Sequence, residues 1–175
     1  MVVNLYVDDL IFTGNDLELL KDFKLSIKKI SKMNNFGELH HFLGIEVLQS
    51  KNGIFITQES YAKEILKKFK MENANPISTP CITGLKLNKN GERKLVYSTM
   101  FQILVGNLMY LTATRPNIMY ALSLISKFME KPFSNHQEAA KRILRYVKGT
   151  LDYGIFYQAN VQINLVGYTN HIDLA

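Results

Sequence analysis

The spacing of apolar and polar residues changes several times along the chain, and each change marks an element. Val2, Val3, Leu5, Tyr6 and Val7 precede Asp8 and Asp9, and Leu10, Ile11 and Phe12 follow them. Two β-prone runs around an aspartate pair predict a short hairpin with both carboxylates at its tip. Leu20, Phe23, Ile27 and Ile30 then recur at helical spacing, with Asn15 and Glu18 as a capping-box-like start. "HFLGIEVLQSKNGIFITQ" predicts two strands joined through Ser50 to Gly53, where Asn52-Gly53 would supply the positive φ angles of a tight turn. "ESYAKEILKKFKM" sets Tyr61, Ile65, Leu66 and Phe69 on one helical face and Lys63, Lys67, Lys68 and Lys70 on others.

From Asn73 to Lys94 no period holds, and Pro76, Pro80, Gly84 and Gly91 predict a long connection. Three helical patterns follow: Tyr97, Phe101, Leu104, Val105 and Leu108; Ile118, Leu122, Ile125 and Met129; then Ala140, Ile143, Leu144 and Val147. Pro116 fits a first helical turn, and Ser134 a cap. Lys141, Arg142, Arg145 and Lys148 flank the last stripe, where they could contact a phosphate backbone or simply face water. "GIFYQ" and "INLVGYT" read as short strands.

Composition narrows the class. The 175 residues are 47% hydrophobic and 21% charged, as in globular proteins, which excludes wholesale disorder. Cys81 stands alone, so no internal disulfide framework exists, and it reads as structural. His40, His41, His136 and His171 lack zinc-site spacing and read as surface or packing residues. No stretch has the roughly 18 to 20 apolar residues of a membrane helix. Nothing resembles a signal peptide, so an intracellular location is expected: cytoplasm, nucleus or an organelle that makes the protein itself. The net charge of +6 favours a polyanionic partner. Asp8 and Asp9 fit either a solvated turn or a divalent-cation site, because adjacent carboxylates repel each other.

Taken in order, the motifs decide between these readings. "YVDD", Tyr6 to Asp9, resembles the Tyr-x-Asp-Asp box of reverse transcriptases, and "LYVDDLIFTGND" is similar to the version in copia-type long-terminal-repeat retrotransposons. "GELHHFLGIEV", "PISTP", "LVGNLMYLTATRPNIMYALSLISKFM" and "AAKRILRYVKGTLDYGIFY" resemble the same family in the same order. The resemblance covers nearly the whole chain. It implies that Asp8 and Asp9 are catalytic carboxylates holding magnesium (Mg2+), with Asp8 the stronger candidate for direct ligation. It places Tyr6 beside an RNA or DNA template-primer, and Phe42, Leu43 and Gly44 in a primer-positioning hairpin, where ordinary core packing is the rival account of Phe42 and Leu43.

The implied fold is α+β. Residues 1–72 would be the end of a palm, 73–96 a linker, 97–150 a helical thumb and connection region, and 151–175 the start of a ribonuclease H-like sheet. The family's third aspartate and its fingers precede the box, so a separate upstream segment is an expected partner and no polymerisation is expected from these residues alone. The family pattern Gly-Tyr-Ser-Asp-Ser-Asp-Trp-Ala meets Gly167, Tyr168, Thr169, Asn170, His171, Ile172 and Asp173, so no ribonuclease activity is expected. A nucleic-acid-binding remnant without chemistry and a decayed transposon product are the alternatives.

Overall fold

The computed structural model describes residues 1–31, 34–88 and 94–161. The chain divides into two units, Met1–His40 and His41–Ala175.

In the first unit, β1 (Val2–Tyr6) pairs antiparallel with β2 (Asp9–Thr13), from Val2 opposite Thr13 to Tyr6 opposite Asp9. Helix α1 (Leu17–Ile30) follows. Its cap is Asp16 rather than Asn15: the Asp16 carboxylate accepts from the Glu18 and Leu19 N–H groups, both at 3.0 Å. Glu18 in the first turn and Lys28 and Lys29 in the last complement the helix dipole. Phe12 packs edge-on against Phe23 with ring centroids 5.3 Å apart. One hairpin and one helix are too small to enclose a core. Accordingly α1 has no buried residue, and Val2, Leu5, Val7, Leu17 and Ile30 are exposed.

The second unit contains an antiparallel sheet in the order β3 (His41–Phe42), β4 (Ile45–Ser50), β5 (Gly53–Thr57), β6 (Ile155–Gln158). The β4–β5 turn forms as expected, but Asn52 keeps an ordinary φ and only Gly53 is positive. Glycine is required there, since a Cβ would lie 2.2 Å from the Tyr157 carbonyl oxygen of β6. The expected strand "GIFYQ" thus extends the β4–β5 hairpin, with Gly53 opposite Gln158 and Ile56 opposite Ile155. "INLVGYT" lies outside the described residues.

Helices α2 (Glu59–Lys68), α3 (Ser98–Leu111), α4 (Met119–Ser126, preceded by a 3₁₀ turn Pro116–Ile118) and α5 (Ser134–Lys148) enclose the core. Ile65, Phe101, Val105, Leu108, Ile118, Ile125 and Leu144 are its buried centre. Each such side chain contributes about 1.5–3 kcal/mol by leaving water. Tyr97, expected on the α3 stripe, precedes the helix and is 86% exposed. Among the described residues no helix is long and apolar enough to cross a membrane.

Two local outcomes differ from the sequence pattern. The aperiodic stretch after α2 is laid against the helices: Met71, Ile77, Cys81 and Leu87 pack half-buried on the core. At the start of α5, Ser134 is the first helical residue rather than its cap, Phe133 stands in the cap position, and His136 binds back to it. Its Nδ1 accepts the Phe133 N–H at 3.0 Å, and its Nε2 lies 3.2 Å from the Asn88 carbonyl oxygen. Since Nδ1 accepts, the ring proton sits on Nε2 and donates to Asn88. His136 is fully buried and stacked on Phe128 at 3.9 Å, a packing histidine as the sequence suggested.

Candidate functional site

The β1–β2 ladder closes through two residues, Val7 and Asp8, so the turn is tight. Of the two only Val7 has a positive φ, +54°, the φ pattern of a II′ turn, whose first position glycine normally fills. A β-branched residue in this region is strained by on the order of 1–3 kcal/mol, and such strain concentrates at functional sites. Val7 points into solvent, 81% exposed. Asp8 stands in the turn and Asp9 opens β2. Both are exposed, and neither carboxylate has a hydrogen-bond or ion-pair partner among the described residues.

A divalent cation fits this arrangement in part. Magnesium is commonly held by one or two carboxylates together with substrate phosphates, and two adjacent unpartnered carboxylates are suited to that. Among the described residues no group of three or more acidic, His or Cys side chains could hold a metal. Tyr6 lies opposite Asp9 in the ladder and is half exposed.

A second tight turn, in the other unit, joins β3 to β4 through Leu43 and Gly44. Both have positive φ, +49° and +71°, the I′ pattern of two-residue hairpins. Phe42 is half-buried and Leu43 exposed, so the tip offers an apolar side chain to solvent. A Cβ on Gly44 would lie 3.3 Å from the Tyr110 hydroxyl. The hairpin tip thus lies close against Tyr110 of α3. Tyr110 meets Tyr61 edge-on at 4.9 Å, and the Tyr61 hydroxyl donates to Asn107 Oδ1 at 3.2 Å. Burial pushes the Tyr61 phenol above its ordinary range. The Ser60 N–H donates to the Glu46 carboxylate at 2.8 Å, and this bond holds Glu46 below the usual carboxylate range. These contacts tie the hairpin to α2 and α3.

The basic residues of α5 separate into two groups. Arg142 Nη2 donates to Thr79 Oγ1 at 2.8 Å and Arg145 Nε to the Asn75 carbonyl at 2.7 Å, so both hold the connecting stretch. Lys141 is exposed and Lys148 half-buried.

Sequence reasoning missed Arg115. It is only 2% exposed and donates through Nη1 to the Thr150 carbonyl at 2.8 Å and through Nη2 to the Thr150 hydroxyl. Its guanidinium lies 5.9 Å from the Tyr146 ring and 5.4 Å from the Tyr153 ring. Burial lowers its pKa. A lone arginine before a proline carries no pattern that separates it from a solvated one. Sequence spacing also gave no sign of a cavity between α2, α3 and α5.

The family model for reverse transcriptase (RNA-dependent DNA polymerase) matches residues 1–83. The chain is 37% and 38% identical over 165 residues to the retrovirus-related Pol polyproteins of transposons RE2 and RE1 of Arabidopsis thaliana. Those matches cover 94% of this chain and 11% of each polyprotein, so the chain spans about a tenth of these relatives. It is also 36% identical over 169 residues to an uncharacterized mitochondrial protein of Arabidopsis thaliana, covering 96% of this chain and 70% of that protein. No solved structure matches. With the paired-carboxylate hairpin, these similarities show that the chain belongs to the reverse transcriptase family of retrotransposon Pol polyproteins.

Proposed function

We propose that the chain is part of a copia-type RNA-directed DNA polymerase in which Asp8 and Asp9 hold catalytic magnesium. The observation that carries this reading is the strained two-residue turn, which presents two unpartnered carboxylates on a hairpin. When bound, magnesium would stabilise negative charge on phosphate oxygens as a Lewis acid. The chain's own contribution is positional. The β1–β2 ladder fixes where the carboxylates start, and their mutual repulsion favours a divalent cation over none. Asp8, in the turn itself, is the stronger ligand, and Tyr6 lies beside the template-primer. Phe42, Leu43 and Gly44 position the primer, with Tyr110 as their support. Lys141 and Lys148 meet phosphates, while Arg142 and Arg145 keep α5 and its connector together.

In this reading residues 1–72 are palm, 73–96 a connector, 97–150 thumb and connection, and 151–175 the beginning of a ribonuclease H-like segment without activity. Two carboxylates alone do not preorganise the transition state, so these residues do not polymerise without an upstream segment. The test replaces the matching segment of a transposon Pol polyprotein with this chain and assays primer extension on RNA with magnesium. The chimera extends primers and Asp8→Asn abolishes extension. Extension that survives Asp8→Asn would overturn the reading, and extension by the isolated chain would overturn its dependence on a partner.

A further inference from the structure

A cavity of about 260 Å³ opens between the end of α2, the start of α3 and α5. Its floor is apolar, formed by Phe69, Met100, Phe101, Leu104 and Leu144. Its rim carries Lys68, Lys70 and Lys141 with Gln137, and no acidic side chain lines it. All three lysines are exposed, and none has an ion-pair partner among the described residues.

The end of α2 places two of these charges. The Met71 N–H donates to the Leu66 carbonyl at 2.7 Å and the Lys70 N–H to Lys67 at 3.0 Å, a Schellman ending. The left-handed position of that motif is normally glycine, yet here it is Lys70 at φ +56°. A lysine is therefore held at the cavity mouth in a backbone conformation that glycine would adopt without strain. Lys68 Nζ stands 6.0 Å from the Phe69 ring centroid. Lys141 comes from α5, on which Arg142 and Arg145 are turned to the connector.

An apolar floor under a cationic rim selects a ligand with a flat apolar body and negative charge. The volume lies below the roughly 300–1,000 Å³ of pockets that take whole small molecules, so it suits one ring system. Bases stacked on aromatic side chains, with phosphates on lysines, are the usual means of holding single strands without sequence preference. We propose that this cavity receives the base of one unpaired nucleotide of single-stranded RNA or DNA, with neighbouring phosphates on Lys68, Lys70 and Lys141. The inference rests on reading the chain as part of a template-copying enzyme, but it does not involve Asp8 or Asp9.

The test measures anisotropy of a labelled oligouridylate of about twelve nucleotides, a typical single-strand site length, against an abasic strand of equal length. The full chain is expected to bind the base-bearing strand about tenfold more tightly. The triple variant Lys68→Glu, Lys70→Glu, Lys141→Glu, shown to be folded by its unchanged thermal melt, should lose that binding. The milder Lys→Gln triple variant should flatten the salt dependence by about two in log–log slope. A 4-thiouridine strand should crosslink to peptides containing Phe69 or Met100. Equal affinity for both strands, crosslinks elsewhere, no binding, or binding only to phosphatidylserine vesicles would each overturn the proposal. The binding assay contains no divalent metal, primer or deoxynucleotide, so failure here and failure of the polymerase reading are separable.

Discussion

Replacing Arg115 tests whether a buried cation, with Asp152 as a more distant carboxylate rather than a salt-bridge partner, is held by the end of α5. Among the described residues Arg115 makes no ion pair, and its Nη1 and Nη2 bonds both go to Thr150, just beyond the helix end. The unsatisfied carbonyls there carry partial negative charge, which favours a cation. Arg115→Met removes the charge together with its desolvation cost and leaves the Thr150 carbonyl with the Tyr153 N–H at 3.1 Å as its donor, a loss of about 0.5–1.5 kcal/mol. The Thr150 hydroxyl keeps a partner, because it also donates to the Tyr146 carbonyl at 2.9 Å. Arg115→Lys keeps a buried charge but loses the planar fork that reaches both Thr150 oxygens, and ammonium is more strongly hydrated than guanidinium. An imperfectly paired buried charge costs more than none, about 3–5 kcal/mol here. The expected order of stability is therefore Arg, then Met, then Lys. Urea unfolding followed by far-ultraviolet circular dichroism measures it, helical signal being necessary in a chain without tryptophan. A lysine variant at least as stable as the methionine variant would refute the reasoning.

Burial holds the His136 imidazole below its ordinary range, with the Asn88 bond opposing, so the folded state prefers the neutral ring. Its contribution is complete above the unfolded value, about 6.5, and is lost as pH falls from there through the lowered folded value. The melting temperature should drop as pH falls below about 6.5, and His136→Gln should flatten that part of the profile; an unchanged profile would count against this role. Gly53→Ala should cost about 1–3 kcal/mol, because its Cβ would meet the Tyr157 carbonyl oxygen at 2.2 Å; hydrogen exchange should show β6 released first. Gly106→Ala should instead stabilise by about 0.5–1 kcal/mol, since α3 leaves open space around that position. A destabilised Gly106→Ala chain would show that something unseen here approaches α3.

Much of the architecture was legible because it repeats. Apolar residues three and four apart can be buried together only on a helix, and α2, α3, α4 and α5 bury the stripes read for them, apart from their ends. The ends were harder. Asn15 and Asp16 are equally good caps by type, and only the direction of the first N–H groups selects Asp16. Likewise Ser134 is a good cap by type, but the helix begins at Ser134 itself, with Phe133 in the cap position and its N–H held by the buried His136 imidazole.

By itself, the order of apolar and polar residues determined the hairpins, the helices and the place of Asp8 and Asp9, because local backbone preference and side-chain period are properties of neighbouring residues. The tertiary structure alone decided that Val7 takes the left-handed turn position, that β6 joins β5, that Arg115 is enclosed, and that Lys68, Lys70 and Lys141 share one cavity. All but the first of those outcomes depend on residues distant in sequence meeting in space. A single lysine or arginine carries no periodicity by which a sequence could announce its neighbours.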